Sequence, residues 1–358
     1  MVSCERERYG APPPGARDLA RLLLSSSNLS RLHASLRTLH TGEATAGKTQ
    51  LCLRLLLRAQ APLAAGGLDG TALWIYTEGG PPLRRLAALA HRTPGLEGGC
   101  EHDPASRVLV DSRVSSPADL MAALDRANTL CRAYAASAAP VRLVLVDSVA
   151  AIFRDLNTCL PGLAGAAEYG ARAGLMFAAA AAMKRLAAVH SLVVVVVNQV
   201  VDVVSENGGG GDRRPRPHPH RPLPAPAKAA AATGGQVLRT SGRPVSPALG
   251  LAWAHCVDTR LFLARMVAGG AGGWGEGVCG GAGDNPSASA AAPPAAPPHA
   301  LRCLQVVFAP HLPPSYAYAV VTEAGLVGVR QDAVATAVAR APLGPAATTS
   351  AAAAAQQQ

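Results

Sequence analysis

Leu192-Val193-Val194-Val195-Val196-Val197 is an apolar run in which every residue after the first is β-branched. Branching at Cβ stiffens the side chain, disfavours helix and suits a pleated surface. Side chains of a strand alternate between faces, so a run without a polar member must be buried on both. Leu73-Trp74-Ile75-Tyr76, Val108-Leu109-Val110 and Leu143-Val144-Leu145-Val146 repeat the pattern. Helical patterns alternate with them over residues 50–59, 83–91, 117–135 and about 164–188. Such alternation predicts a doubly wound α/β fold with a parallel sheet covered by helices on both faces. Further strands are expected at residues 256–263, 301–308 and 317–322.

Gly42-Glu43-Ala44-Thr45-Ala46-Gly47-Lys48-Thr49 fits the pattern G-x-x-x-x-G-K-[ST]. Its glycines let the backbone curl so that N–H groups face phosphates, Lys48 can reach the β and γ oxygens, and the Thr49 hydroxyl can hold Mg²⁺. Thr49-Gln50-Leu51 opens the following helix, whose N-terminal dipole favours an anion. Accidental matches arise in roughly three chains per thousand of this composition. The competing reading is a Gly-rich turn with a stray lysine. Candidate nucleotide-binding residues are therefore Gly42, Glu43, Ala44, Thr45, Ala46, Gly47, Lys48, Thr49 and Gln50, with ATP and Mg²⁺ as the expected cofactors.

Asp147 ends the apolar run 143–146, where ligands gather in open parallel sheets. It can organise the Mg²⁺ shell together with Thr49, or merely cap the next turn. Its neighbour is Ser148 rather than an acid, so a water-orienting base must come from elsewhere. Glu78, at the end of the strand at 73–77, is the candidate; the alternative is a solvated loop acid. Asn198-Gln199 ends the valine run, and Gln199 could touch the γ-phosphate and report its presence to the segment that follows. That segment carries Arg213, Arg214, Arg216, Arg221, Arg239 and Arg243, either a polyanion-binding loop or a solvated linker.

The net charge of +10 suits a polyanionic partner, and of 33 basic residues only Lys48, Lys184 and Lys228 are lysine. Aromatics, at 4%, are too few for a continuous base-stacking platform. The eight cysteines form no C-x-x-C pair, which points to reduced thiols in a cytosolic or nuclear protein. No stretch has the ~18 strongly apolar residues of a membrane span, and residues 1–10 lack the apolar core of a secretory signal. The 36 glycines and 29 prolines cluster, which divides the chain: a short, partly disordered segment at 1–38, a core at 39–330 with low-complexity insertions at about 205–244 and 267–300, and a disordered tail at 331–358.

The P-loop, Tyr76-Thr77-Glu78-Gly79, Val146-Asp147-Ser148-Val149-Ala150 and Asn198-Gln199 follow one another in an order that resembles the RecA-type core of the eukaryotic recombinase family. Val245-Ser246-Pro247-Ala248-Leu249-Gly250-Leu251-Ala252-Trp253-Ala254 and Ala309-Pro310-His311-Leu312-Pro313-Pro314-Ser315 resemble its strand-exchange paralogues. The resemblance implies an α/β RecA-like P-loop ATPase core: a mostly parallel central sheet, helices on both faces and a C-terminal antiparallel extension. It implies a DNA-dependent ATPase, weak alone, that binds single-stranded or branched DNA in the nucleus, pairs with another paralogue as a heterodimer and supports the main recombinase filament. It makes Glu78 the hydrolytic base and Gln199 the γ-phosphate sensor. It puts a first DNA loop at about 155–167, a second at about 201–243, and a turn at 310–315 where a neighbouring subunit caps nucleotide.

The chain also departs from that family. About 40 residues before the P-loop are too few for an N-terminal DNA-binding domain. The family's Phe-x-x-Ala polymerisation pattern occurs only as Phe177-Ala178-Ala179-Ala180, inside an expected helix, where core packing is the better reading. The segment 155–163 lacks the arginine recombinases carry there. Alternatives are an autonomous strand-exchange recombinase, a nucleotide-gated scaffold without hydrolysis, and a P-loop small-molecule kinase.

Overall fold

A computed structural model describes residues 36–41, 44–65, 67–93, 104–154, 165–203, 238–266, 301–310 and 316–329. A nine-stranded sheet is its centre. Six strands are parallel, in the order β9 (Thr259–Arg265), β1 (Leu36–Thr41), β5 (Val193–Asn198), β4 (Val141–Asp147), β2 (Thr71–Tyr76) and β3 (Val108–Asp111). Beyond β9 the sheet continues antiparallel through β10 (Leu301–Phe308), β11 (Tyr316–Thr322) and β12 (Gly325–Val329). The expected RecA-like arrangement, parallel with an antiparallel C-terminal extension, is the one observed.

The valine run is buried as anticipated, with alternate residues in different cores. Val193, Val195 and Val197 join Trp74, Tyr76, Leu143 and Leu145 under α1 (Lys48–Arg58) and α2 (Leu83–Ala90). Val194 and Val196 join Leu73, Ile75, Val144 and Val146 under α3 (Pro117–Tyr134) and α5 (Gly165–His190), with the short α4 (Val149–Arg154) and α6 (Gly250–Ala254) beside them. A capping box starts α3: Asp119 N–H donates to Ser116 Oγ, and Ser116 N–H returns the bond to the Asp119 carboxylate.

Three local expectations change. Ordered strand begins at Leu36, ahead of residue 39. Inside the stretch 205–244, Leu238–Thr240 and Arg243–Pro247 form β7 and β8, which join β6 (Val200–Asp202) in a three-stranded antiparallel sheet. Residues 205–237 of that insertion, residues 267–300 and the tail at 331–358 lie outside the described residues. Phe177 is 48% exposed rather than packed in the core. The buried stripe of α5 runs Met176, Ala179, Ala180, Met183, Leu186 and Ala187, and Phe177 falls one residue off it. Among the described residues, no helix is long and apolar enough to cross a membrane, and Cys52, Cys131, Cys256 and Cys303 are free and buried.

Trp253 is fully buried, and its ring centroid lies 6.4 Å from that of Phe153. Its indole N–H has no hydrogen-bond partner among the described residues, so its contribution is packing. Trp253→Ala should therefore cost about 3–5 kcal/mol in urea unfolding, and Trp253→Phe less than half of that.

Candidate functional site

Parallel register brings four carboxyl ends to one edge of the sheet. His40 is level with Asn198, Asp147 with Val197, and Tyr76 with Asp147. The P-loop leaves β1 at that edge, Gln199 follows β5, Ser148 follows β4 and Glu78 follows β2. Gly42 and Glu43 lie outside the described residues.

The remaining P-loop has the backbone its motif calls for. Thr45 and Gly47 both have positive φ, at 73° and 106°. Gly47 is the N-cap of α1, and a Cβ there would lie 3.3 Å from Val321 Cγ2 of β11, so glycine answers both the conformation and the space. Neither a capping side chain nor an acid sits at the first turn of α1. The N–H groups of Lys48, Thr49 and Gln50 thus belong to the orphan set of a helix start, suited to an anion. Gln50 is tied elsewhere by its side chain: Arg85 donates to its Oε1 from Nε and Nη2 at 3.2 and 3.1 Å, and Nη2 also reaches the Thr322 carbonyl.

Asp147 is 3% exposed, and its Oδ2 has no hydrogen-bond partner among the described residues. Burial, reinforced by the Glu78 carboxylate, pushes its carboxyl up to about 7. The Lys48 ammonium and a hydrogen bond from the Cys52 thiol work in the other direction. Burial pushes the Cys52 thiol well up, beside Asp147, so it stays protonated and can donate. An orphaned buried carboxylate oxygen within the field of Lys48 fits a divalent cation, which prefers oxygen ligands.

A polar chain links the other residues. The Ser148 hydroxyl donates to Glu78 Oε1 at 2.6 Å, and the Gln199 amide donates to the same oxygen. The Gln199 carbonyl oxygen accepts from Arg154 at the end of α4. Thr77 braces the edge, its hydroxyl donating to the Ser148 carbonyl and accepting from the Ser148 N–H, both at 2.8 Å. The Asp147–Ser148 peptide is cis. Asn198 is fully buried, and its Oδ1 accepts from the Gln199 N–H at 2.8 Å.

The structure thus brings Lys48, Asp147, Glu78 and Gln199 together. Sequence reasoning missed Cys52, Thr77, Ser148 and Arg154. Ser148 and Thr77 flank recognised acids and were findable by adjacency, whereas Cys52 and Arg154 needed the packing. Arg213, Arg214, Arg216 and Arg221 lie outside the described residues, as do 155–164 of the first loop and 311–315 of the capping turn. Arg239 and Arg243 stand on the separate three-stranded sheet. Arg239 is exposed, and Arg243 pairs with Asp202 at 2.7 Å.

A mostly parallel sheet with a P-loop at its carboxyl edge and an antiparallel C-terminal extension defines a RecA-like P-loop core. Within that class the chain belongs to the Rad51 family, whose sequence model, described as Rad51, matches residues 30–241. It is 33% identical over 231 residues to the DNA repair protein XRCC3 homolog of Arabidopsis thaliana, covering 62% of this chain and 67% of the relative. It is 29% identical over 295 residues to the DNA repair protein XRCC3 of Bos taurus, covering 80% and 67%. The match to the DNA repair protein RAD51 of Saccharomyces cerevisiae is 34% over 160 residues, 45% of this chain and 36% of that protein.

Removing the Lys48 charge should weaken nucleotide binding without unfolding the chain, because the side chain is partly exposed. Lys48→Ala should keep its thermal midpoint within a few degrees and lose at least tenfold in ATP affinity by equilibrium titration.

Proposed function

We propose that this chain is an ATP-binding, DNA-associated recombinase paralogue that supports homologous-recombination repair of double-strand breaks and of branched or stalled-fork DNA. It acts in the nucleus with another paralogue as partner and supports the main recombinase filament. One observation carries the reading: Lys48, Asp147, Glu78 and Gln199 converge at the carboxyl edge of the sheet in a member of the Rad51 family. The names of its relatives, DNA repair proteins of the XRCC3 and RAD51 kinds, support the repair role.

In this reading the P-loop N–H groups and Lys48 hold the phosphates, while Thr49 and Asp147 hold Mg²⁺, which neutralises phosphate charge. Glu78 is exposed and receives two hydrogen bonds on Oε1, from Ser148 and Gln199. Those bonds orient the carboxylate and leave Oε2 to align a water. Gln199 touches both Glu78 and Arg154, the last residue before the first DNA loop, so it can carry the state of the site towards DNA. The DNA surface is the basic segment around Arg213, Arg214, Arg216 and Arg221, continued by Arg239 and Arg243.

Turnover measured with and without single-stranded DNA and a paralogue partner tests the catalytic half. Glu78→Gln should leave ATP affinity within twofold and slow hydrolysis at least a hundredfold, since a water-orienting group acts mainly in the transition state. Hydrolysis at the parent rate would remove Glu78 from the mechanism. Affinity for single-stranded DNA should fall with salt, by about 0.7 log units per log unit of salt for each phosphate neutralised. Joint replacement of Arg213, Arg214, Arg216 and Arg221 by Ala should flatten that slope, and an unchanged slope would leave the segment a linker.

A further inference from the structure

A guanidinium is costly to bury unless its donors are satisfied. Arg302, near the start of β10, is only 8% exposed. Its Nε donates to the Ala46 carbonyl at 2.9 Å and its Nη2 to the Thr45 carbonyl at 3.3 Å, while Nη1 turns back to the Leu301 carbonyl at 3.2 Å. Two arms of the fork therefore close on two consecutive carbonyls of the P-loop, more than 250 residues away in sequence. Arg265, directly across from Arg302 in the β9–β10 pair, donates to the Thr45 hydroxyl at 3.1 Å.

The peptide plane gives these bonds a consequence. In a trans peptide the C=O of one residue and the N–H of the next point in opposite directions within one rigid plane. Fixing the Thr45 and Ala46 carbonyls toward β10 fixes the Ala46 and Gly47 N–H groups toward the opposite side. Successive N–H groups pointing to one side of a loop make an anion-binding concavity. A loop with positive φ at Thr45 and Gly47 does not hold that form unaided.

We infer that Arg302 is a positioning residue for nucleotide binding: by anchoring the Thr45 and Ala46 carbonyls from behind, it aims the Ala46 and Gly47 N–H groups at the phosphates. The inference rests on the nucleotide-binding reading given above. It ties the antiparallel extension to the site, with the anchoring charge reaching the loop from outside the parallel sheet. It also makes a specific claim about the ligand. P-loop N–H groups cradle the α- and β-phosphates, which ATP and ADP share, so the loss on removing Arg302 must fall on both nucleotides alike.

The test is titration of ATP and ADP against the full chain, below the unfolding temperature of every variant. Arg302→Met should weaken both by the same factor, about tenfold, the net worth of a charge-assisted hydrogen bond. Arg302→Lys, which keeps the charge and loses the fork, should recover part of the loss. Leu304→Ala, a buried neighbour on β10, should lower the thermal midpoint and leave both affinities within twofold. Unchanged affinity in a folded Arg302→Met chain overturns the inference. So does a loss confined to ATP, or an equal loss in Leu304→Ala. Should Arg302→Met not fold, Arg302→Lys decides, and parent affinity in that variant overturns it. A parent chain that binds neither nucleotide overturns the nucleotide-binding reading, and this inference with it.

Discussion

Parallel pairing of β1, β5, β4 and β2 is the constraint from which the rest of the molecule follows. Parallel neighbours cannot be joined by a tight turn, so each strand must be followed by a crossover, and every carboxyl end falls on the same edge. That is why the P-loop, Ser148, Gln199 and Glu78 meet although more than 150 residues separate the first from the third. The valine run alone cannot set the register, since shifting it by one residue exchanges one valine face for another. Its unequal neighbours can: Trp74 and Tyr76 need the space under α1, and Asn198 and Asp147 can be polar only where the sheet ends.

Two carboxylates at that edge set the electrostatic character of the site. Asp147 sits in the sheet with one oxygen that finds no partner among the described residues and with Glu78 near it, an arrangement in which burial and like charge both oppose ionisation. Lys48 and the Cys52 thiol offset part of this from α1. An environment of this kind favours the arrival of positive charge, in keeping with the proposed binding of nucleotide phosphates together with a metal ion. Gln199 divides its amide between Glu78 and Arg154, and an amide is suited to such a junction because it is donor and acceptor at once.

The antiparallel extension is part of the site rather than an appendage. Val321 limits Gly47 from one side, Arg302 and Arg265 grip the loop from another, and Arg85 bridges Gln50 to the Thr322 carbonyl. The P-loop is therefore held by α1 in front and by three later strands behind.

The sequence by itself determined the elements and their chemistry. Short apolar runs rich in β-branched residues, set between helical patterns, point to strands of a doubly covered sheet, and G-x-x-x-x-G-K-T carries its own reason to be a phosphate loop. Glu78, Asp147 and Gln199 were legible because each stands within two residues of the end of an apolar run, and an acid or amide there must lie at the sheet's end. Tertiary structure decided what no local pattern encodes. It left Phe177 exposed one position off the buried stripe of α5, it folded β7 and β8 out of a stretch that reads as low complexity, and it engaged Gln50 with Arg85. It also brought Cys52 to Asp147 and Arg302 to the P-loop. The reason is physical. A periodic pattern states which face of an element is apolar, whereas the partner of a buried polar group is set by whichever distant backbone the packed sheet brings within hydrogen-bonding reach.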